Sequence, residues 1–181
     1  MANRASWRKS RPLVLPPDGS AEDAIVEAVS NGLAHLTNNE ACVLARSHPE
    51  GVHQMRVAVR RLRSRIALYN GLLPETQTRK VTGDLKWLIG SLGPTRDWDV
   101  FVTETMAPAL KLLPDDRDLA LLRQHAVARQ DRGYKIAQAA LRSRRYARLE
   151  TRLAAWAEMR AWRQAADGFA SDEALNVPAR A

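Results

Sequence analysis

His53, Arg56, Arg60 and Arg63 recur at intervals of three and four residues, a spacing that brings side chains to one side of a helix. At about 100° per residue, with His53 at zero, Arg60 falls near −20°, Arg56 near −60° and Arg63 near −80°. Guanidinium groups carry forked N–H donors that match phosphate or carboxylate oxygens in pairs. An imidazole adds a donor whose charge changes near neutrality. Such a row suits the holding of an anion better than the breaking of a bond.

Residues 51–74 contain no Asp or Glu, while Arg56, Arg60, Arg61, Arg63 and Arg65 contribute +5. Like charges three and four residues apart on a helix repel by roughly 0.2–0.5 kcal/mol per pair. An uncompensated row therefore points to an external anion. The alternative is compensation by acids on neighbouring helices, with Asp84, Asp97, Asp99 and Glu104 as the candidates. Arg61 and Arg65 fall near 80° and 120° on the same wheel, to one side of the row. Neighbouring arginines favour neutral His53 and a bound polyanion favours its protonated form, so binding is expected to tighten as pH falls toward about 6.

A second basic face follows. Arg79, Gly83, Lys86, Gly90 and Gly93 lie within about 80° of one another on a helix. Glycines there admit either a neighbouring helix, the commoner reason, or a phosphate chain. Arg96 follows Gly93-Pro94, where a helix start would present free amides to an anion. Asp97 and Asp99 then read as caps or as partners for nearby arginines. A basic stretch at 142–152 (Arg142, Arg144, Arg145, Arg148, Arg152) reads as a solvated face, with a widened anion surface as the lesser alternative.

The elements that must position these groups are helical. Ser20 and Asp23 form a capping-box pattern, and Ile25, Val26, Val29, Leu33 and Leu36 follow at helical spacing toward about residue 46, with Asn38 and Asn39 as an interruption point. Pro49 suits the start of a second helix, stopped by Pro74, whose core face is Met55, Val59, Leu62, Ile66, Tyr69 and Leu73. A third is expected from about 75 to 92, ended by Gly93-Pro94. A fourth carries Arg96 to about 112 and is kinked or shortened by Pro108. A fifth spans about 115–141. A sixth spans about 143–165, with Tyr146, Leu149, Leu153, Trp156 and Met159 as its apolar side. No stretch alternates with period two. An all-α antiparallel bundle of about five to six helices follows, over residues 19–166. Residues 1–18 read as a basic flexible tail and 167–181 as a C-terminal tail or truncated linker.

Composition narrows the function classes. The 181 residues carry 28 Lys+Arg against 20 Asp+Glu, a net charge of +8 that suits an anionic partner. No run of about 18 apolar residues exists, so no membrane partner is expected. The N-terminus lacks the apolar core of a secretory signal, and one cysteine, Cys42, makes a cytoplasmic location the expectation. There is no Walker loop, dinucleotide fingerprint, HExxH or Cys/His cluster. His48 and His53 are five apart across a turn, a poor metal pair. His125 is followed by Ala126, Val127 and Ala128, without the arginine that His53 has three residues on. No catalytic residue, metal or cofactor is expected.

The segment 53–63, His-Gln-Met-Arg-Val-Ala-Val-Arg-Arg-Leu-Arg, and the segment 85–100, Leu-Lys-Trp-Leu-Ile-Gly-Ser-Leu-Gly-Pro-Thr-Arg-Asp-Trp-Asp-Val, resemble the CHAD family, the histidine-containing α-helical domains. Ser143-Arg-Arg-Tyr146 with Leu149, Leu153 and Trp156 is similar to the family's next helix, so the resemblance covers roughly residues 20–165. It implies a non-catalytic helical domain that binds inorganic polyphosphate, often at bacterial polyphosphate granules. It also implies His53, Arg56, Arg60, Arg63, Lys86 and Arg96 as ligand contacts, with Arg61 as an additional one. Arg79 is added from the helix wheel. The family's complete domain has two related bundles, each with its own His-x-x-Arg helix, and this chain has one such motif. Either the chain is the N-terminal half of a longer protein, the reading favoured by the end of the sequence, or two copies pair as a homodimer. The rival functions are a nucleic-acid-binding module and a scaffold for an acidic protein.

Overall fold

In a computed structural model, which describes residues 5–164, 175, 176 and 178, the chain forms a helical bundle. The elements are α1 (Ala21–Thr37), α2 (Glu40–Leu44), α3 (Glu50–Leu68), α4 (Glu75–Val100), a π-helical segment (Phe101–Met106), α5 (Ala107–Leu112), α6 (Arg117–Leu141), α7 (Arg144–Met159) and a 3₁₀ turn (Ala161–Gln164). Among the described residues no strand forms; two isolated bridges, Ser20 with Pro178 and Asn70 with Leu73, are the only β pairings. No helix there is long and apolar enough to cross a membrane.

The helix starts follow from local chemistry. Ser20 Oγ accepts from the Asp23 amide at 3.2 Å and Asp23 Oδ2 accepts from the Ser20 amide at 3.0 Å, completing the expected capping box. Asp116 and Ser143 cap α6 and α7 in the same way, accepting from the amides of Leu119 and Tyr146. Asn39 does interrupt the first helix, giving α1 and α2. Gly71, at φ 98°, makes the left-handed turn that reverses the chain between α3 and α4.

Apolar faces then build one core. Ile25, Val29 and Leu36 of α1, Met55, Val59, Leu62 and Ile66 of α3, Leu85, Leu88 and Leu92 of α4, and Leu149, Leu153 and Trp156 of α7 are buried together. α3 packs between α1 and α4, while α4 also packs against α6 and α7. Met159, expected on the apolar side of the last helix, is 66% exposed, because α7 ends there and Arg160 takes a left-handed conformation.

Two expectations about α4 are corrected. The third and fourth helices are one continuous helix, and Pro94 lies inside it. A helix-interior proline removes one hydrogen bond and crowds the preceding turn, but here tertiary packing outweighs that cost. A Cβ on Gly133 of α6 would stand 2.9 Å from Thr95 Cα, so the two backbones cross in close contact beside Pro94. Buried Asp99 accepts from Gln130 Nε2 at 2.8 Å and from Tyr134 Oη at 3.2 Å. Asp99 is therefore a tie to α6 and not a cap at a helix start, and burial pushes its carboxyl above the usual range. The irregularity falls later, in the π-helical turn that precedes Pro108.

The N-terminal residues read as a flexible tail have no helix, yet the structure gives their backbone specific partners. Asn39 exchanges two 2.9 Å hydrogen bonds with Arg8, Asn31 Nδ2 donates to the Arg11 carbonyl at 2.9 Å, and Ser47 Oγ donates to the Ala5 carbonyl at 2.5 Å. The expected C-terminal tail, 167–181, lies almost wholly outside the described residues; Leu175 is buried in the core.

Candidate anion-binding groove

α3 presents its core face inward, which turns His53, Arg56, Arg60 and Arg63 toward the surface on its other side. Arg60 and Arg61 are exposed; His53, Arg56 and Arg63 are half-buried. Around this helix runs a series of surface depressions connected through shared lining residues. One of ≈ 310 Å³ is lined by Lys9, Ser10, His53, Gln54, Val57 and Arg61. The next, ≈ 440 Å³, shares Val57 and Arg61 and adds Arg60, Ser64 and Arg65. A third, ≈ 350 Å³, shares Arg60 and Ser64, adds Arg63 and Ala67, and reaches Thr82 on α4. The fourth, ≈ 390 Å³, continues from Thr82 past Asn70, Glu75, Thr78, Arg79 and Gly83 to Lys86.

The electrostatics of this groove are one-sided. Glu75 is the one carboxylate among its lining residues, and it pairs with Arg79 at 2.7 Å. Among the described residues, no ion pair within 4 Å joins His53, Arg56, Arg60, Arg61, Arg63 or Lys86 to an acid. Of the four acids that could have neutralised α3, exposed Asp97 has no ion pair within 4 Å among the described residues, and the other three have other partners. Asp84 pairs with Arg145 at 2.7 Å and Arg152 at 3.0 Å, Asp99 with α6, and Glu104 lies 3.6 Å from Arg96. Arg63 Nε is buried without a hydrogen-bond partner. Burial and then the neighbouring Arg61 charge lower the Arg65 guanidinium from its ordinary value; its Nη1 donates to Asn31 Oδ1 at 3.1 Å and lies near the Ala28 carbonyl.

The structure brings most of the expected residues together, with three differences. Arg61, set apart on the helix wheel, shares one depression with Arg60 on α3 itself and another with His53, where the N-terminal segment lies against that side and Ser10 Oγ accepts from Arg61 Nη1. Arg96 lines none of the four depressions. It sits inside α4 beside Glu104, and the continuity of that helix removes the free amides expected there. Arg56 does not line them either; its Nη1 sits against α4, 3.2 Å from where a Gly93 Cβ would stand.

The glycine face of α4 is also clarified. A Cβ added at Gly83 or Gly90 would meet nothing within 4 Å, so helix packing does not explain these glycines, and Gly83 lines the groove beside Lys86. Of the basic 142–152 stretch, Arg145 and Arg152 are tied to Asp84, and Arg145 lies 4.6 Å over the Trp87 ring. His48 is a local helix-start group: its Nδ1 accepts from the Glu50 amide at 3.0 Å. Lys9, Ser10, Ser64 and Thr82 were not singled out from the sequence. The Arg8-Lys9-Ser10-Arg11 run showed only as charge, since nothing in its spacing says where an irregular segment will lie.

A CHAD domain family model matches residues 27–180. Among solved structures, the chain is similar to the CHAD domain from the plant Ricinus communis, with 32% sequence identity and a TM-score of 0.72. The similarity covers 91% of this chain and 54% of that one, so the chain spans about half that structure's length. No curated protein matches the sequence.

Proposed function

Given that the chain belongs to the CHAD domain family, we propose that it is a non-catalytic module that binds inorganic polyphosphate along the groove around α3. The observation that carries this reading is the run of neighbouring depressions that share lining residues, bordered by His53, Arg60, Arg61, Arg63, Arg65, Arg79 and Lys86 with a single carboxylate already paired. From His53 to Arg63 the helix rises about 15 Å at about 1.5 Å per residue, room for several units of a phosphate chain. Charge-assisted N–H···O contacts from guanidinium and ammonium groups hold its oxygens. Arg56 adds a further guanidinium, without an ion pair within 4 Å among the described residues, where α3 meets α4 at Gly93, whereas Arg96 is opposed by Glu104 at 3.6 Å.

The second bundle of the family fold, supplied by further chain or by another copy, would set more basic surface opposite this row. The location that follows is cytoplasmic, at polyphosphate granules. Binding of a defined-length polyphosphate to the purified chain, followed by calorimetry, tests the reading. The expected result is saturable binding that weakens steeply with salt and is lost in an Arg60→Ala/Arg63→Ala variant that melts like the parent. Displacement of polyphosphate by duplex DNA or RNA at physiological salt would instead favour a nucleic-acid module. Turnover of polyphosphate by the metal-supplemented protein would overturn the non-catalytic assignment.

A further inference from the structure

The segment 5–18 precedes the residues that the family model covers, yet it closes one end of the groove. Its backbone is clamped at two points by buried amide side chains. Asn39, 0% exposed, both donates to the Arg8 carbonyl and accepts from the Arg8 amide; Asn31, 1% exposed, donates to the Arg11 carbonyl. Outside the second clamp, Arg11 forms a two-pronged ion pair with Glu27 at 2.5 and 2.8 Å. A buried amide must find hydrogen-bond partners, so these two asparagines fix the position of the strap as firmly as it satisfies them.

Two residues, Lys9 and Ser10, lie between the clamps, and both line the ≈ 310 Å³ depression with His53 and Arg61. Ser10 Oγ accepts from Arg61 Nη1 at 2.5 Å, which leaves the hydroxyl hydrogen free to donate elsewhere. Exposed Lys9 has no ion pair within 4 Å among the described residues. An ammonium, a hydroxyl, an imidazole and a guanidinium thus border one depression with no carboxylate among its lining residues. Ordering a free tail around a ligand would cost conformational entropy at each residue; here the folded chain has already fixed the backbone.

We infer that Lys9 and Ser10 are binding residues for a phosphate group at the His53 end of the groove, held in place by the Asn31 and Asn39 clamps. The inference rests on the polyphosphate reading above and adds a wall to the site that its helices do not supply. Lys9 contributes charge, and Ser10 orients Arg61 while donating its own hydrogen to a phosphate oxygen.

The test uses the full chain and a polyphosphate of defined length, comparing Lys9→Ala/Ser10→Ala with Arg60→Ala and with Lys80→Ala, an exposed charge outside the groove's lining. The double variant is expected to bind at least about fivefold more weakly, with a salt dependence shallower by about one contact. Lys80→Ala is expected to stay within about twofold, and all melting midpoints to stay with the parent. If Arg60→Ala weakens binding and the double variant behaves like Lys80→Ala, the strap is no part of the site and the inference fails while the groove stands. Tighter binding by Ser10→Ala alone would show that the hydroxyl blocks Arg61, which also overturns it. If Arg60→Ala has no effect, the groove reading and the inference fall together.

Discussion

Asp84 Oδ1 accepts from Arg145 Nε at 2.7 Å, which directs the carboxylate of α4 toward α7 and away from α3. Its Oδ2 accepts from Arg152 Nη1 at 3.0 Å, so both oxygens are engaged. The side chain of Asp84 is 17% exposed. This geometry commits one candidate counter-charge to α7 and not to the arginine row. Asp84→Asn is expected to destabilise the fold by about 1–3 kcal/mol, since it leaves two half-buried guanidinium groups short of an anionic partner. Urea unfolding checks that loss, and polyphosphate affinity in the variant should not fall.

Arg60 borders two of the depressions and is exposed, whereas Arg63 has a buried Nε without a partner. Arg60→Ala should weaken polyphosphate binding by about fivefold and change stability by less than about 0.5 kcal/mol. Arg63→Lys should also weaken binding, because an ammonium retains the charge and loses the planar fork. Calorimetric titration together with a thermal melt separates the two effects.

His53 lies at the strap end of the groove. If it donates to the anion, His53→Ala should weaken polyphosphate binding by about threefold or more while the melting midpoint stays with the parent. Unchanged affinity in that variant, read by calorimetric titration, removes His53 from this role.

Gly83 and Gly90 sit in helix interiors with open space where a side chain would go. Alanine at either position should raise stability by about 0.5–1 kcal/mol. Gly83→Ala should also reduce polyphosphate affinity if the phosphate chain passes the α4 backbone beside Lys86. The opposite sign is expected for Gly32→Ala, whose Cβ would stand 2.3 Å from Leu62 Cδ2, and for Gly133→Ala, 2.9 Å from Thr95 Cα. Denaturant midpoints of the four variants measure both signs.

Burial, then a hydrogen bond and charge repulsion from Glu40, push the Glu150 carboxyl up to about 7 from 4.5. The folded protein therefore keeps a proton that the unfolded chain releases. The stability tied to it is present in full below about 4.5 and is lost as pH rises through about 7. Glu150→Gln should make the protein more stable than the parent near pH 8 and bring little change near pH 5. Asp23 and Glu27 act with the other sign: hydrogen bonds from Ser20 and Arg11 lower their carboxyls, so their contribution disappears in acid. Melts across this range, with and without the Glu150 substitution, distinguish the two groups.

The helical class, the inward face of α3 and the arginine row opposite it were all legible in the sequence, because they follow from a 3.6-residue period and from side-chain types at fixed spacing. The Ser20–Asp23 capping box was legible because its bonds span three residues, whereas the caps at Asp116 and Ser143 were not singled out from the sequence. Features that depend on distant contacts were not. Pro94 reads locally as a helix break, yet the close crossing of α4 with Gly133 and the tie from Asp99 to Gln130 and Tyr134 keep the helix whole. Arg61 looked displaced from the row until an irregular strap, placed by Asn31 and Asn39, enclosed it with His53. Which acids neutralise which arginines also depends on packing, for Asp84 meets residues more than sixty positions away in the chain. Periodicity fixes which way a side chain faces on its own helix, and only the assembled bundle sets what stands opposite.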